Sequence, residues 1–162
     1  MQTLVSWLIL TVLVVLQTSF IVHMPFFRFM PELLLMFCVY VGSRFDWDSG
    51  FWWGVTCGMV MSVFSIQDIR LYVIVFSLSG LIAGSFRGAL FVDSNATKII
   101  LLFFISAVAA FVFAVFSKEA TPSLLRIAFL QNYVIRIAFI NSVFAIPLYH
   151  FLEKIYKRVE SR

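Results

Sequence analysis

Side chains able to do chemistry are sparse in this chain, and their spacing limits what they can do. The two histidines, His23 and His150, lie far apart, and neither has a Cys, Asp or Glu at metal-ligand spacing. Asp46 and Asp48 are the nearest thing to the carboxylate pair that general acid–base work needs. With Trp47 between them and Arg44 beside them, a charged loop at a membrane interface is the plainer reading. Cys38 and Cys57 sit in apolar runs without a CxxC or Cys/His pattern, which fits small buried hydrophobes better than redox or metal ligands. No Ser/His/Asp order, glycine-rich phosphate loop or H-E-x-x-H motif occurs. We therefore expect no catalytic residues, no metal and no cofactor.

What remains is polar chemistry inside apolar segments. Asn141 lies within a long apolar run, where an unpaired amide is costly and seeks a partner on a neighbouring helix. Pro147 removes a backbone donor and frees the carbonyl of Val143, so a kink is expected there. Arg136 reads either as an anchor near a helix end or as part of a polar pathway.

Glycine spacing is the most informative pattern. Six of the seven glycines form two runs, Gly50-x3-Gly54-x3-Gly58 and Gly80-x3-Gly84-x3-Gly88, and Ser62 extends the first by one step. A step of four is just over one turn, so each run makes a smooth groove along one helix face. In lipid such grooves allow the close backbone approach that drives helix association. Two uses stay open: packing within the chain, or a docking face for another membrane protein.

The elements that must position these residues follow from composition. Of 162 residues, 62% are apolar and 12% charged, with 20 phenylalanines and a mean hydropathy of +1.02. Soluble domains are nearer 45–50% apolar and about 25% charged. A soluble fold of this length could not hide so much apolar surface. Soluble enzyme, secreted disulfide scaffold and nucleic-acid binder are all poor readings; the net charge of +4 suits topology signals beside a bilayer better than a nucleic-acid face. No basic n-region or A-x-A site marks a cleavable signal near the start.

Gaps between charges predict an all-α polytopic membrane bundle of six transmembrane helices in one domain, at about 4–22, 31–47, 49–67, 71–91, 99–117 and 133–151. An interfacial helix is expected at about 122–132, opened by Thr121 and Pro122. Leu101 is read as lipid-facing. Even spans put both termini on one side, with Arg44, Arg87, Lys98, Lys154, Lys157, Arg158 and Arg162. Arg28, Arg70, Lys118 and Arg126 fall on the other, so the positive-inside rule places the termini in the cytoplasm. Trp47, Trp52 and Trp53 form an aromatic belt at the inner end of the third span.

The order of motifs resembles the MreD family. Pro31-Glu32-Leu33-Leu34-Leu35 ending in Tyr40-Val41 is similar to its proline-led second helix, and Gly54-x3-Gly58 then Ser65 to its third. Ser79-Gly80-Leu81-Ile82-Ala83-Gly84 with Arg87 resembles the next helix, and Asn141-Ser142-x4-Pro147 with a basic tail resembles the last. One departure is Ser62, which stands where the family often has an acidic residue. The resemblance implies a non-enzymatic component of the cell-elongation machinery in the bacterial inner membrane. Its implied partners are an MreC-like protein and, indirectly, the MreB filament and the RodA/penicillin-binding-protein pair, with membrane lipids around it. The family is also distantly similar to substrate-binding subunits of energy-coupling-factor vitamin transporters. Those subunits show an Ala-x3-Ala docking face on the first helix. The first span here has no alanine, although Phe26, Phe27, Tyr72 and Arg126 could contribute a ligand pocket.

Overall fold

A computed structural model describes residues 2–23, 31–64, 68–87, 95–116 and 127–160. Among them the chain is all-helical, with six helices: α1 (Gln2–His23), α2 (Leu33–Arg44), α3 (Trp47–Val63), α4 (Ile69–Ser85), α5 (Asn95–Phe116) and α6 (Ile127–Glu160). Two stretches are long and apolar enough to cross a membrane, Ala96–Phe116 in α5 and Asn132–Glu160 in α6. Shorter apolar helices cover Thr3–Ser19, Leu33–Arg44 and Ile69–Ser85.

α2 is the axis of the bundle. Its sequence is apolar on every side, which is the pattern of a helix with no solvent or lipid face. Accordingly, each residue from Leu34 to Ser43 is buried. At 12 residues it is only about 18 Å long. α3 and α4 pack together and against α2, while α5 and α6 form a second pair that also touches it, and α1 packs on α2 and α6. Phe45 and Asp46 alone join α2 to α3. The Phe45 N–H bonds the Val41 carbonyl and closes α2, and the Asp46 carbonyl accepts the Gly50 N–H in the first turn of α3.

The outer surface of the helices is apolar. Leu8, Val12 and Val15 on α1, Ile100, Phe104 and Val108 on α5, and Phe139 and Ile146 on α6 are all exposed. In water such a shell would be one sticky patch; against acyl chains it has no cost.

Several boundaries differ from the sequence expectation. Trp47 opens α3 instead of closing the second span, because the chain turns at Phe45–Asp46. Residues 127–132 are not a separate interfacial helix: α6 runs unbroken from Ile127 through Pro147 to Glu160, 34 residues and about 51 Å. Arg136 is carried within it, on an exposed face. The rest of the expected interfacial helix, 122–126, lies outside the described residues. Leu101 is buried, not lipid-facing, and its neighbour Ile100 takes the outward position. Of the three tryptophans, Trp47 and Trp52 are exposed, whereas Trp53 turns inward against Trp7 and Phe37, with ring centroids 5.2 and 5.7 Å away.

Candidate functional site

The two glycine runs meet each other. α3 and α4 cross antiparallel, so Gly50 faces Gly80, Gly54 faces Phe76 and Ser77, and Gly58 faces Tyr72 and Val73. A methyl group on Gly54 would sit 2.7 Å from the Ser77 Cα, and one on Gly58 2.7 Å from the Val73 Cα. Carbon contacts settle near 3.5–4.0 Å, and the obstacle here is backbone, which cannot rotate aside. On Gly80 the methyl group would strike the Gly50 carbonyl on one side and the Cys38 Sγ, 2.8 Å away, on the other. Gly84 lies against the backbone of Trp47 at the start of α3. The seventh glycine, Gly42 of α2, faces the Gly80 carbonyl and so brings a third helix onto the seam. It belongs to neither run, and its place in the seam had no signal in spacing. The Ser62 hydroxyl donates back to the Met59 carbonyl of its own helix at 2.6 Å. Gly88 lies outside the described residues.

Buried polar side chains fasten the other face of α2. A helix start leaves N–H groups without partners. Asn141 of α6, fully buried, accepts the Glu32 N–H at 2.9 Å through Oδ1 and donates through Nδ2 to the Ser106 hydroxyl of α5 at 2.5 Å. Gln17 of α1 accepts the Leu34 N–H at 3.2 Å through Oε1 and donates to the Met61 Sδ of α3 at 3.3 Å. Two distant amides therefore cap α2 and join four other helices around it. Gln17 escaped the sequence reading, though a lone amide within an apolar run is the same signal that singled out Asn141.

A third layer lies at the opposite end of α2. Tyr40, Tyr149 and Tyr156 are all fully buried, and the Tyr149 hydroxyl donates to the Met36 carbonyl at 3.1 Å. The Tyr156 and Ser6 hydroxyls are bonded at 2.6 Å, linking α6 to α1. Tyr40 and Tyr156 stack with centroids 6.0 Å apart, with Lys98 Nζ over the first ring at 5.2 Å and the Arg44 guanidinium over the second at 5.3 Å. Arg44 also pairs with Glu160 at 2.8 Å, closing the end of α2 onto the end of α6. Its charge is thus met by a carboxylate at the end of the bundle.

Other candidates stay apart from these layers. Arg136 is exposed on α6 and does not share the buried face of Asn141, and Pro147 is likewise exposed. Asp46 pairs with Arg87 at 3.0 Å, so the Asp46/Asp48 carboxylates are not joined in one site. Cys38 and Cys57 are buried free thiols, and the Cys38 Sγ lies 3.3 Å from the Phe76 carbonyl. Among the described residues no group of three or more His, Cys, Asp or Glu could hold a metal ion. Tyr72 of the possible ligand pocket packs on Phe113, centroids 4.8 Å apart, while Phe26, Phe27 and Arg126 lie outside the described residues.

The arrangement is that of a body fixed in shape: a glycine seam on one side of α2 and polar locks on the other. A family model described as rod shape-determining protein MreD matches residues 1–159. No curated protein and no solved structure matches the chain.

Proposed function

We propose, from the premise that this chain belongs to the MreD family of rod shape-determining membrane proteins, that it is a non-enzymatic scaffold of the bacterial cell-elongation machinery. The observation that carries this reading is the family match over nearly the whole chain. The fold is consistent with a scaffold because the buried amides of Gln17 and Asn141 are spent on holding helices together. In this reading all six helices are embedded in the inner membrane, with both termini in the cytoplasm. α6 is longer than the roughly 30 Å hydrocarbon core, so its last turns project from the membrane with Lys154, Lys157 and Arg158.

The mechanism follows from stiffness. A scaffold transmits position between an MreC-like partner and, indirectly, the MreB filament and the RodA/penicillin-binding-protein pair. It does so only if its own helices do not slide. Backbone-to-backbone contact at Gly50/Gly80 and the amide caps on α2 resist sliding, since displacement by one residue would bury a clash or an unpaired amide. The partner face must then lie outside the glycine seam, which is occupied from within. The reading as a vitamin-transporter subunit gains nothing from the family match.

Depleting the protein from a rod-shaped host tests the role. Cells should widen and round while vitamin uptake is unchanged. Rods of normal width after complete depletion would sink the proposal.

A further inference from the structure

Glu32 stands at the start of α2, where a carboxylate ordinarily accepts N–H groups of the first helical turn. Here those donors go elsewhere. The Glu32 N–H is taken by Asn141 at 2.9 Å, the Leu33 N–H by the Pro31 carbonyl at 3.2 Å and the Leu34 N–H by Gln17 at 3.2 Å. The Glu32 side chain makes no cap, and among the described residues no ion pair holds its carboxylate. Its surroundings are aromatic. Glu32 is half-buried, and Tyr133 of α6 lies within electrostatic reach both of it and of Tyr72 on α4. Tyr72 in turn packs on Phe113 of α5. A carboxylate in such a place is costly alone and is normally paired.

We infer that Glu32 is the docking point for a basic side chain, Lys or Arg, of a partner membrane protein, an inference that rests on the scaffold reading above. Chemistry selects this occupant. A divalent metal ion asks for several oxygen ligands, and among the described residues no group of three or more His, Cys, Asp or Glu stands ready for one. A lipid ammonium brings its own phosphate, and no cation of the described residues acts on Glu32 to balance that second negative charge. A guanidinium or ammonium on a side chain brings a single positive charge. It pairs with the carboxylate and lies favourably against an aromatic ring such as that of Tyr133. The two amides that cap α2 thus leave the acid beside them free for a contact outside the chain.

The test purifies the full chain from its native membrane in mild detergent, as wild type, Glu32→Gln and Glu32→Lys, and measures the MreC-like protein that comes with each. Glu32→Gln should keep the wild-type unfolding midpoint, since Asn141 holds the backbone N–H and not the carboxylate. Recovery of the partner with it should fall about tenfold. Glu32→Lys should lose the partner, and one Lys→Glu or Arg→Glu change in that partner should restore it. Wild-type recovery with Glu32→Gln would overturn the inference, and so would the failure of every such charge reversal to rescue Glu32→Lys; either result leaves the scaffold reading standing. A Glu32→Gln chain that unfolds early would also overturn it, because the carboxylate would then serve the fold itself. A wild-type chain that brings no partner would sink the scaffold reading and this inference together.

Discussion

At Gly80 the difference between a hydrogen and a methyl group decides whether α3 and α4 can touch. Gly80→Ala should therefore cost at least the upper part of the roughly 1–3 kcal/mol typical of overpacking, because both obstacles, a carbonyl and a buried thiol, are fixed. Val12→Phe, on the exposed face of α1, should leave stability within about 0.5 kcal/mol. Thermal unfolding of both variants in the same detergent checks the contrast, and equal midpoints would mean the seam is looser than drawn. Asn141 offers a finer test. Asn141→Leu leaves the Glu32 N–H without its acceptor and should cost about 1–3 kcal/mol. Ser106→Ala made in that background should cost clearly less than in the wild-type chain, because the bond it removes is already gone. Additive losses would show that the two side chains do not act together. The residue types at both sites were legible in the sequence: glycines four apart and an amide in an apolar run each demand a close partner. Which partner was not legible, since periodicity within one helix says nothing about what lies across from it. Gly42 belongs to no run that would mark it, whereas Gln17 carries the same amide signal as Asn141.

At the scale of elements, the sequence predicts six helices and six are present among the described residues, with ends that depart from the boundaries the charges suggest. Arg44, expected at an interface because unpaired charges avoid lipid, ends α2 beside the ring of Tyr156 and the carboxylate of Glu160. Residues 122–132 read as a separate interfacial helix, yet α6 is already under way at Ile127 and continues unbroken into the sixth span. Leu101 reads as lipid-facing and is buried, because an apolar helix in an apolar surrounding gives little signal about which face is which. The end of α6 carries an element-scale prediction. A chain ending at Glu153 loses the buried ring of Tyr156, its bond to Ser6 and the Glu160 partner of Arg44. Burial of one such ring is worth about 1.5–3 kcal/mol, so the truncated chain should unfold several degrees earlier. A chain ending at Glu160 should match the full length. Equal midpoints for the two truncations would mean that the last turns are not part of the folded body.

For the whole molecule, the account is of a membrane body whose internal contacts are used up on keeping α2 fixed, leaving its outside for lipid and partners. Orientation is a matter of charge at this scale: the basic run Lys154, Lys157 and Arg158 should hold the end of α6 in the cytoplasm. A fluorescent reporter that matures only there should glow when fused after Arg162, and a dark fusion with an active periplasmic phosphatase at the same point would reverse the assignment. The central claim is that this chain holds elongation partners together without chemistry of its own. Purification of the full chain from its native membrane in mild detergent, with identification of what comes with it, tests that claim most directly. The account predicts an MreC-like protein in near-equal amount. A preparation without that protein, carrying a tightly bound vitamin-like small molecule instead, would contradict it.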